Sequence, residues 1–286
     1  MPEQETVVGF ILGNEPALRA AVFLGVLALM MGLEAIFPRR IRLQPRKRRW
    51  PANIGIVVID SLLVRALFPL AAVGVAALAA DRGWGLLNLV GMPFWAAVIV
   101  SVLVLDFAIY AQHVVFHKVP VLWRLHRMHH ADLDIDVTTG ARFHPIEILL
   151  SMGVKMAVVA ALGAPAAGVV LFEVLLNATS MFNHGNLRLP LPLDRFLRWV
   201  LVTPDMHRVH HSAIRRETDS NYGFNLPWWD RLCGTYRDQP KAGHDRMVIG
   251  LEYFRDPGEL RLGRMLLQPL RKAEPEIDPE METTDK

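Results

Sequence analysis

Long apolar blocks constrain this chain more than any other feature. A helix needs about 20 mostly apolar residues to cross the hydrocarbon core of a bilayer. Residues 17–37, 52–80 and 93–113 meet that length, and two further runs, 146–163 and 165–182, barely do. Gly163-Ala164-Pro165 divides those last two runs into a hairpin. Hydrophobic residues make up 52% of the 286, and mean hydropathy is +0.26. Because the apolar residues lie in blocks, composition favours a multi-pass membrane protein. The expected fold is all-α: an integral membrane bundle of about four or five spans carrying a helical cap.

The charged residues sharpen this picture. Seven basic residues and no acid lie between Arg39 and Arg49. Between two apolar spans, the positive-inside rule places such a loop in the cytoplasm, against anionic headgroups. A nucleic-acid surface would interleave basic and aromatic residues, and no such stripe is evident. The start, MPEQE, is acidic and lacks the charged region of a cleavable signal peptide, so the first helix is expected to stay. The run 6–12 is too short to span. Asp60 and Arg65 read as an interior polar pair of the second span. The one cysteine, Cys233, excludes an intrachain disulfide and a cysteine zinc knuckle, and reads as a small buried residue.

Histidine placement is the second strong signal. Five of the chain's eleven histidines lie in residues 106–130. His113 and His117 are four apart; His126, His129 and His130 form HxxHH; His207, His210 and His211 repeat it. Residues at i+3 and i+4 share a helix face, so each cluster should present its imidazoles in one direction. Leaving one buried polar group without a partner costs roughly 2–7 kcal/mol. Eight unpaired imidazoles at one locus would be ruinous, so coordination is the reading. All-imidazole sites suit Fe, Zn, Cu or Ni. A closed zinc site uses four ligands, so eight point to two metals. Asp106, Tyr110, His113 and His117 step along one stripe of the third span, and Glu173, Asn177, Ser180 and His184 along the last. His244 reads as an interfacial hydrogen-bonder.

With the N-terminus outside, three spans and a returning hairpin bring all three clusters to the cytoplasmic side. Residues 188–201 put Leu193, Phe196, Leu197, Val200 and Leu201 on one face, opposite Arg195 and Arg198, as in an interfacial helix. Three regions follow: 1–91, membrane helices with the basic loop; 92–255, the domain that carries the histidine clusters; and 256–286, a polar tail. From Lys272 that tail is rich in Pro, Glu and Asp and reads as disordered.

The ordered series HxxxH, HxxHH, HxxHH over residues 113–211 resembles the fatty acid hydroxylase and sterol desaturase superfamily of membrane di-iron oxygenases. So do the lead-in Asp106–Tyr110, Trp123-Arg124, Arg142-Phe143-His144-Pro145, Asn183-His184-Gly185-Asn186, Thr203-Pro204-Asp205-Met206 and the string Asn221–Tyr236. The likeness covers about residues 100–240; Cys233 stands where an aromatic is usual. It implies about ten metal ligands: the eight motif histidines with His144 and His184. It also implies two Fe2+ ions, with zinc fitting the same donors, and O2-dependent hydroxylation or desaturation of a lipid drawn from the bilayer. Electrons would come from a separate redox protein or a pterin. Asp106 and Asp205 would orient ligand imidazoles, with Glu173 and Asn177 as weaker candidates. Asp106, Tyr110 and Asp205 are thus the candidates for catalytic roles, and Arg142 and Arg208 would either contact the lipid head or form structural salt bridges. Two other readings share the scaffold: a zinc-dependent membrane hydrolase or lyase, and a non-enzymatic membrane metal-binding protein.

Overall fold

The computed structural model describes Gly9 and residues 13–278. The acidic start, the rest of the run 6–12 and the last eight residues of the tail lie outside the described residues. The labelled helices are α1 (Glu15–Ile36), α2 (Arg46–Leu67), α3 (Ala71–Arg82), α4 (Phe94–Lys118), α5 (Pro120–His130), α6 (Pro145–Leu162), α7 (Ala166–Asn183), α8 (Leu191–Leu197), α9 (Pro204–His210), α10 (Trp228–Leu232) and α11 (Leu262–Leu267). Among the described residues no strand forms, and extended pairing is limited to the isolated bridges Pro38–Leu187 and Ser212–Ile249. The protein is all-α, as its sequence implies.

Among the described residues, five segments are long and apolar enough to cross a membrane: α1, the stretch Arg46–Leu89, α4, α6 and α7. Their outer faces carry exposed Leu24 and Leu29 on α1, Trp95 and Ile99 on α4, and Leu150 and Val154 on α6. Apolar residues facing outward in rows are what lipid contact requires. Inward, Leu105 and Ile109 of α4, Val159 of α6 and Phe172 of α7 pack into one core with Ala72 and Ala76 of α3. The turn between α6 and α7 meets the loop before α4 at Gly163 and Gly85. A Cβ on Gly85 would lie 2.0 Å from the Gly163 backbone nitrogen, so this close approach requires glycine.

The second apolar block is not one helix. Pro69 follows the end of α2 and cannot continue its hydrogen-bond ladder. The chain turns at Phe68–Leu70, and α3 packs along α6 and α7. Asp60 is buried in α2 with Oδ1 lacking a partner, and Arg65 is exposed, so the expected pair does not form.

The basic run has a different job from the one its charge implied. It enters the start of α2 and binds the chain's own acids. Arg49 is fully buried. It forks onto both oxygens of Asp132 at 2.7 Å, reaches Asp136 at 2.6 Å and Thr139 at 3.0 Å. Arg42 and Arg46 hold the buried Glu34 at the end of α1. Arg39 pairs with Asp205 and Asp245, and Arg40 donates to the His244 and Met247 carbonyls. A planar, permanently charged fork suits such buried pairing. These five arginines clamp the cap onto the spans, while Lys47 and Arg48 of the same run stay exposed.

The cap extends further along the chain than expected. Residues of α11 pack Leu262, Met265 and Leu266 against Ala52 and Ile56 of α2 and Met128 of α5. Glu276 accepts from the Phe254 and Arg255 amides at 3.0 Å each. In the α8 region Leu193, Phe196, Trp199 and Val200 are exposed, while Arg198 is buried on Asp194 and Asp238. Cys233 is exposed just after α10, not buried.

Candidate metal centre

Local helix chemistry aims the histidines. The last turns of α4 carry His113 and His117, then Val119 breaks the helix in an extended conformation. Pro120 restarts it as α5, where a missing N–H costs nothing. The reversal folds His126, His129 and His130 back beside His113 and His117. Across the site, the Thr203 hydroxyl caps α9 by accepting from the Met206 amide at 3.3 Å, which fixes the helix carrying His207 and His210. His184 caps the C-terminus of α7.

Two groups result. His113, His117, His126, His130 and His210 offer ligand atoms within 4.8 Å of one another, and His129, His184, His207 and His211 form a second such group. Each HxxHH is split between them. In both motifs the i,i+4 pair joins one group and the middle histidine joins the other: His126 and His130 against His129, His207 and His211 against His210. The motifs do not each point in one direction; each spans the gap between two sites. The small step between i+3 and i+4 positions, amplified by side-chain length, makes this division.

Hydrogen bonds fix the tautomers. The Nδ1–H of His113 donates to the Tyr222 carbonyl at 2.7 Å, that of His210 to Ser220 at 2.7 Å and that of His126 to Glu147 Oε1 at 2.6 Å. In the other group His129 donates to the Arg142 carbonyl at 3.1 Å and His184 to Ser180 at 2.8 Å. A carbonyl or carboxylate only accepts, so each of these rings presents an unprotonated Nε2. Those Nε2 atoms then face one another: His113 to His126 at 3.0 Å, His210 to His113 at 3.1 Å, His184 to His129 at 3.1 Å. Lone pair against lone pair is repulsive unless a cation lies between. Imidazole nitrogens sit about 2.0–2.1 Å from a divalent ion such as zinc, so two ligands at right angles on one ion lie about 3 Å apart. The residues fit a metal ion in each group.

Burial keeps the imidazoles neutral. It pushes His126 and His184 down to about 3, and His129, His130, His207, His210 and His211 well below the ordinary histidine value, with neighbouring imidazoles adding to the effect for these five. Neutral imidazole is the metal-binding form.

Other expected residues lie elsewhere. His144 stands outside both groups. Its Nδ1 accepts from the Ile146 amide as the N-cap of α6, and its Nε2 meets the Leu266 carbonyl at 3.3 Å, so both nitrogens are engaged. Asp106 accepts from the Trp229 indole at 2.8 Å and the Leu226 amide at 3.3 Å, and it touches no imidazole. Tyr110 bonds Thr235 at 2.9 Å. Both residues clamp the 221–236 segment to α4, and that segment supplies the Tyr222 carbonyl to His113. Asp205 pairs with Arg208, Arg39 and His244 rather than a clustered histidine. His244 is buried against Asp205, away from both groups. Glu173 binds Lys155 at 2.6 Å and Arg19 at 2.8 Å, and Asn177 donates to the Glu173 carbonyl. Arg142 and Arg208 are wholly buried in ion pairs, Arg208 on Asp205 and Arg142 3.6 Å from Asp132, which is the structural role their sequence also allows.

The residues that do hold the imidazoles were not legible in sequence. Glu147, in the first turn of α6, takes the role foreseen for Asp106, and Asp219 stands 3.3 Å from His117 Nδ1. Gly140 lets the 139–141 turn approach α7: a Cβ there would lie 2.6 Å from the Ser180 carbonyl oxygen, the acceptor for His184.

Residues 98–235 match the fatty acid hydroxylase family. The match covers just under half of the chain. The ornithine lipid hydroxylase OlsE of Rhizobium tropici is 31% identical over 150 residues, 52% of this chain and 44% of that protein. The alkylglycerol monooxygenase of Homo sapiens is 29% identical over 154 residues, 52% of this chain and 31% of that protein. The cholesterol 25-hydroxylase of Rattus norvegicus is 26% identical over 164 residues, 57% of this chain and 53% of that protein. The chain thus covers about a third to a half of these fatty acid hydroxylase relatives. No solved structure matches it.

Proposed function

We propose that this protein is a membrane oxygenase that uses O2 and external electrons to hydroxylate, or desaturate, a C–H bond of a lipid chain. The observation that supports this most is the pair of all-histidine groups whose unprotonated Nε2 atoms converge at the end of a lipid-facing helix bundle. Iron is the proposed metal, held by His113, His117, His126, His130 and His210 in one position and His129, His184, His207 and His211 in the other. When bound, two iron ions would supply the activation of O2 and its use against an unactivated C–H bond.

The chain's own residues prepare that chemistry. Glu147 and the carbonyls of Tyr222, Ser220, Arg142 and Ser180 hold five rings by their Nδ1–H, leaving Nε2 free for metal. The deeply buried imidazoles keep bulk water from the reacting centre. Two of the three relatives are named for ornithine lipids and alkylglycerols, so these are the first substrates to test. The electron donor would be a separate redox protein or a pterin, and the metal centre would face the cytoplasm.

Metal analysis of detergent-purified protein tests the reading. Two irons per chain together with O2-dependent lipid oxidation support it. Two zincs with activity that survives under argon would sink it. A reporter fused to residue 286 tests the topology: a periplasmic signal contradicts a cytoplasmic metal centre.

A further inference from the structure

Two phenyl rings border both histidine groups at once. Phe143 stacks on His129, with centroids 4.4 Å apart and planes 10° from parallel, and it stands 6.1 Å from His126. Phe224 stands 4.9 Å from His113 and 5.9 Å from His207. Each ring therefore adjoins one imidazole of the five-histidine group and one of the four-histidine group. The two centroids are 6.4 Å apart. Elsewhere the gap between the groups is bridged by imidazoles themselves: His130 stacks on His211 at 4.6 Å, backed by Trp123, 5.4 Å from His130.

The two phenyls also belong to the core of the spanning helices. Phe224 is a buried member of the cluster containing Leu105, Ile109, Val159 and Phe172, and Phe143 packs against that cluster. Phe143 is only half-buried and precedes Ile146 and Leu150, which are exposed on α6. Apolar side chains thus continue from the exposed face of α6 through Phe143 to the rings that adjoin both histidine groups.

We propose that Phe143 and Phe224 are the positioning pair for the reacting segment of a lipid chain, holding it against the gap between the two histidine groups and so setting which carbon is oxidised. This rests on the oxygenase reading above. An aliphatic segment offers no hydrogen-bonding group, so it can be placed only by shape and dispersion contact. Flat aromatic walls on the apolar side of the centre supply both. The ring sizes fix how deep the chain reaches, because a positional error of one methylene moves a different carbon to the gap.

The test uses the full-length protein in vesicles of ornithine lipid, and separately in vesicles containing an alkylglycerol. Each is doped with the same lipid carrying a diazirine in its chain, irradiated, and mapped by peptide mass spectrometry. In at least one of the two, label is expected on the peptides holding Phe143 and Phe224. Phe143→Trp should reduce that label several-fold and Phe224→Ala should raise it, with bound metal unchanged in both. Where either variant loses metal, Phe143→Leu and Phe224→Leu replace it. Label confined to outward residues such as Ile99, Leu150 and Val154, and indifferent to all variants, overturns the proposal. In whichever vesicle oxidation occurs, Phe224→Ala should move the product's oxygenated position along the chain; an unmoved position also overturns it. Label at the two phenyls without oxidation of either lipid would leave the positioning pair standing and count against the oxygenase reading alone.

Discussion

Glu147 Oε1 accepts a hydrogen bond from His126 Nδ1 at 2.6 Å, shorter than the bonds that hold His113, His210, His184 and His129 through backbone carbonyls. A carboxylate on the far nitrogen fixes the tautomer and makes the imidazole a better donor to metal. Glu147→Gln keeps shape but removes the charge and offers its amide in either orientation. Loss of such a partner lowers metal affinity by roughly 10–100-fold. Chelator competition on purified protein should show that loss, with Glu147→Asp falling between variant and parent. Unchanged affinity in Glu147→Gln would mean that His126 needs no such support.

The division of each HxxHH between two groups predicts a pattern of metal loss. His129→Ala should empty mainly the four-histidine position and His210→Ala mainly the five-histidine one, each releasing roughly half the bound metal under mild chelation. His144→Ala should keep all of it, while losing a helix cap that contributes about 1 kcal/mol. Elemental analysis of the three variants decides this. Metal loss in His144→Ala equal to that in His129→Ala would contradict the placement.

Arg49 is the keystone of the cap. Removing one partner of a buried ion pair costs about 3–5 kcal/mol, because the remaining charge is stranded. Arg49→Ala strands Asp136 and leaves Asp132 only the more distant Arg142 at 3.6 Å, so limited proteolysis should cut the 131–144 segment and thermal unfolding should begin earlier. Arg48→Ala, one residue earlier on the exposed side of the same helix, should leave both readouts unchanged. Equal stability of Arg49→Ala and the parent would show that the network is dispensable.

Acid should unfold the metal-free cap first. His126 and His184 are pushed to about 3 in the folded chain, against about 6.5 when unfolded. Their folded values are depressed, so their contribution is fully present above about pH 6.5 and is lost as pH falls toward 3. At pH 5.5 each costs about 1.4 kcal/mol of stability. Asp132 matters only later. Burial would raise it, but Arg49 and Arg142 hold it down to about 2, so its contribution fades only below about pH 4. Circular dichroism of chelator-treated protein between pH 7 and 5 should show the transition, and bound metal should move it to lower pH. A metal-free protein equally stable across that range would contradict the burial of these imidazoles.

Much of this architecture can be read from residues alone, for physical reasons. Apolar block length sets the spans, and helical periodicity brings His113 beside His117 and His126 beside His130. What sequence hides is the second partner. Glu147 is one acid among many until Pro145 starts α6 and turns it toward His126. The basic run between Arg39 and Arg49 looks like a membrane-facing loop because its acids, Glu34, Asp132 and Asp136, come from other parts of the chain. Asp106 sits on the histidine stripe, yet two turns of helix separate it from His113, so it serves the 221–236 segment instead. The residues of 131–144 carry no periodicity at all, and their structure comes from Arg49.

O2-dependent oxidation of a lipid chain is the chemistry proposed for the paired histidine groups. Iron-loaded, chemically reduced protein in vesicles of ornithine lipid or alkylglycerol should be exposed to isotopically heavy O2, and the extracted lipid analysed by mass spectrometry. The expected product is a hydroxylated lipid whose new oxygen carries the heavy isotope, absent from His129→Ala and from samples under argon. Product oxygen derived from water, or equal turnover by the zinc-loaded protein without O2, would contradict it.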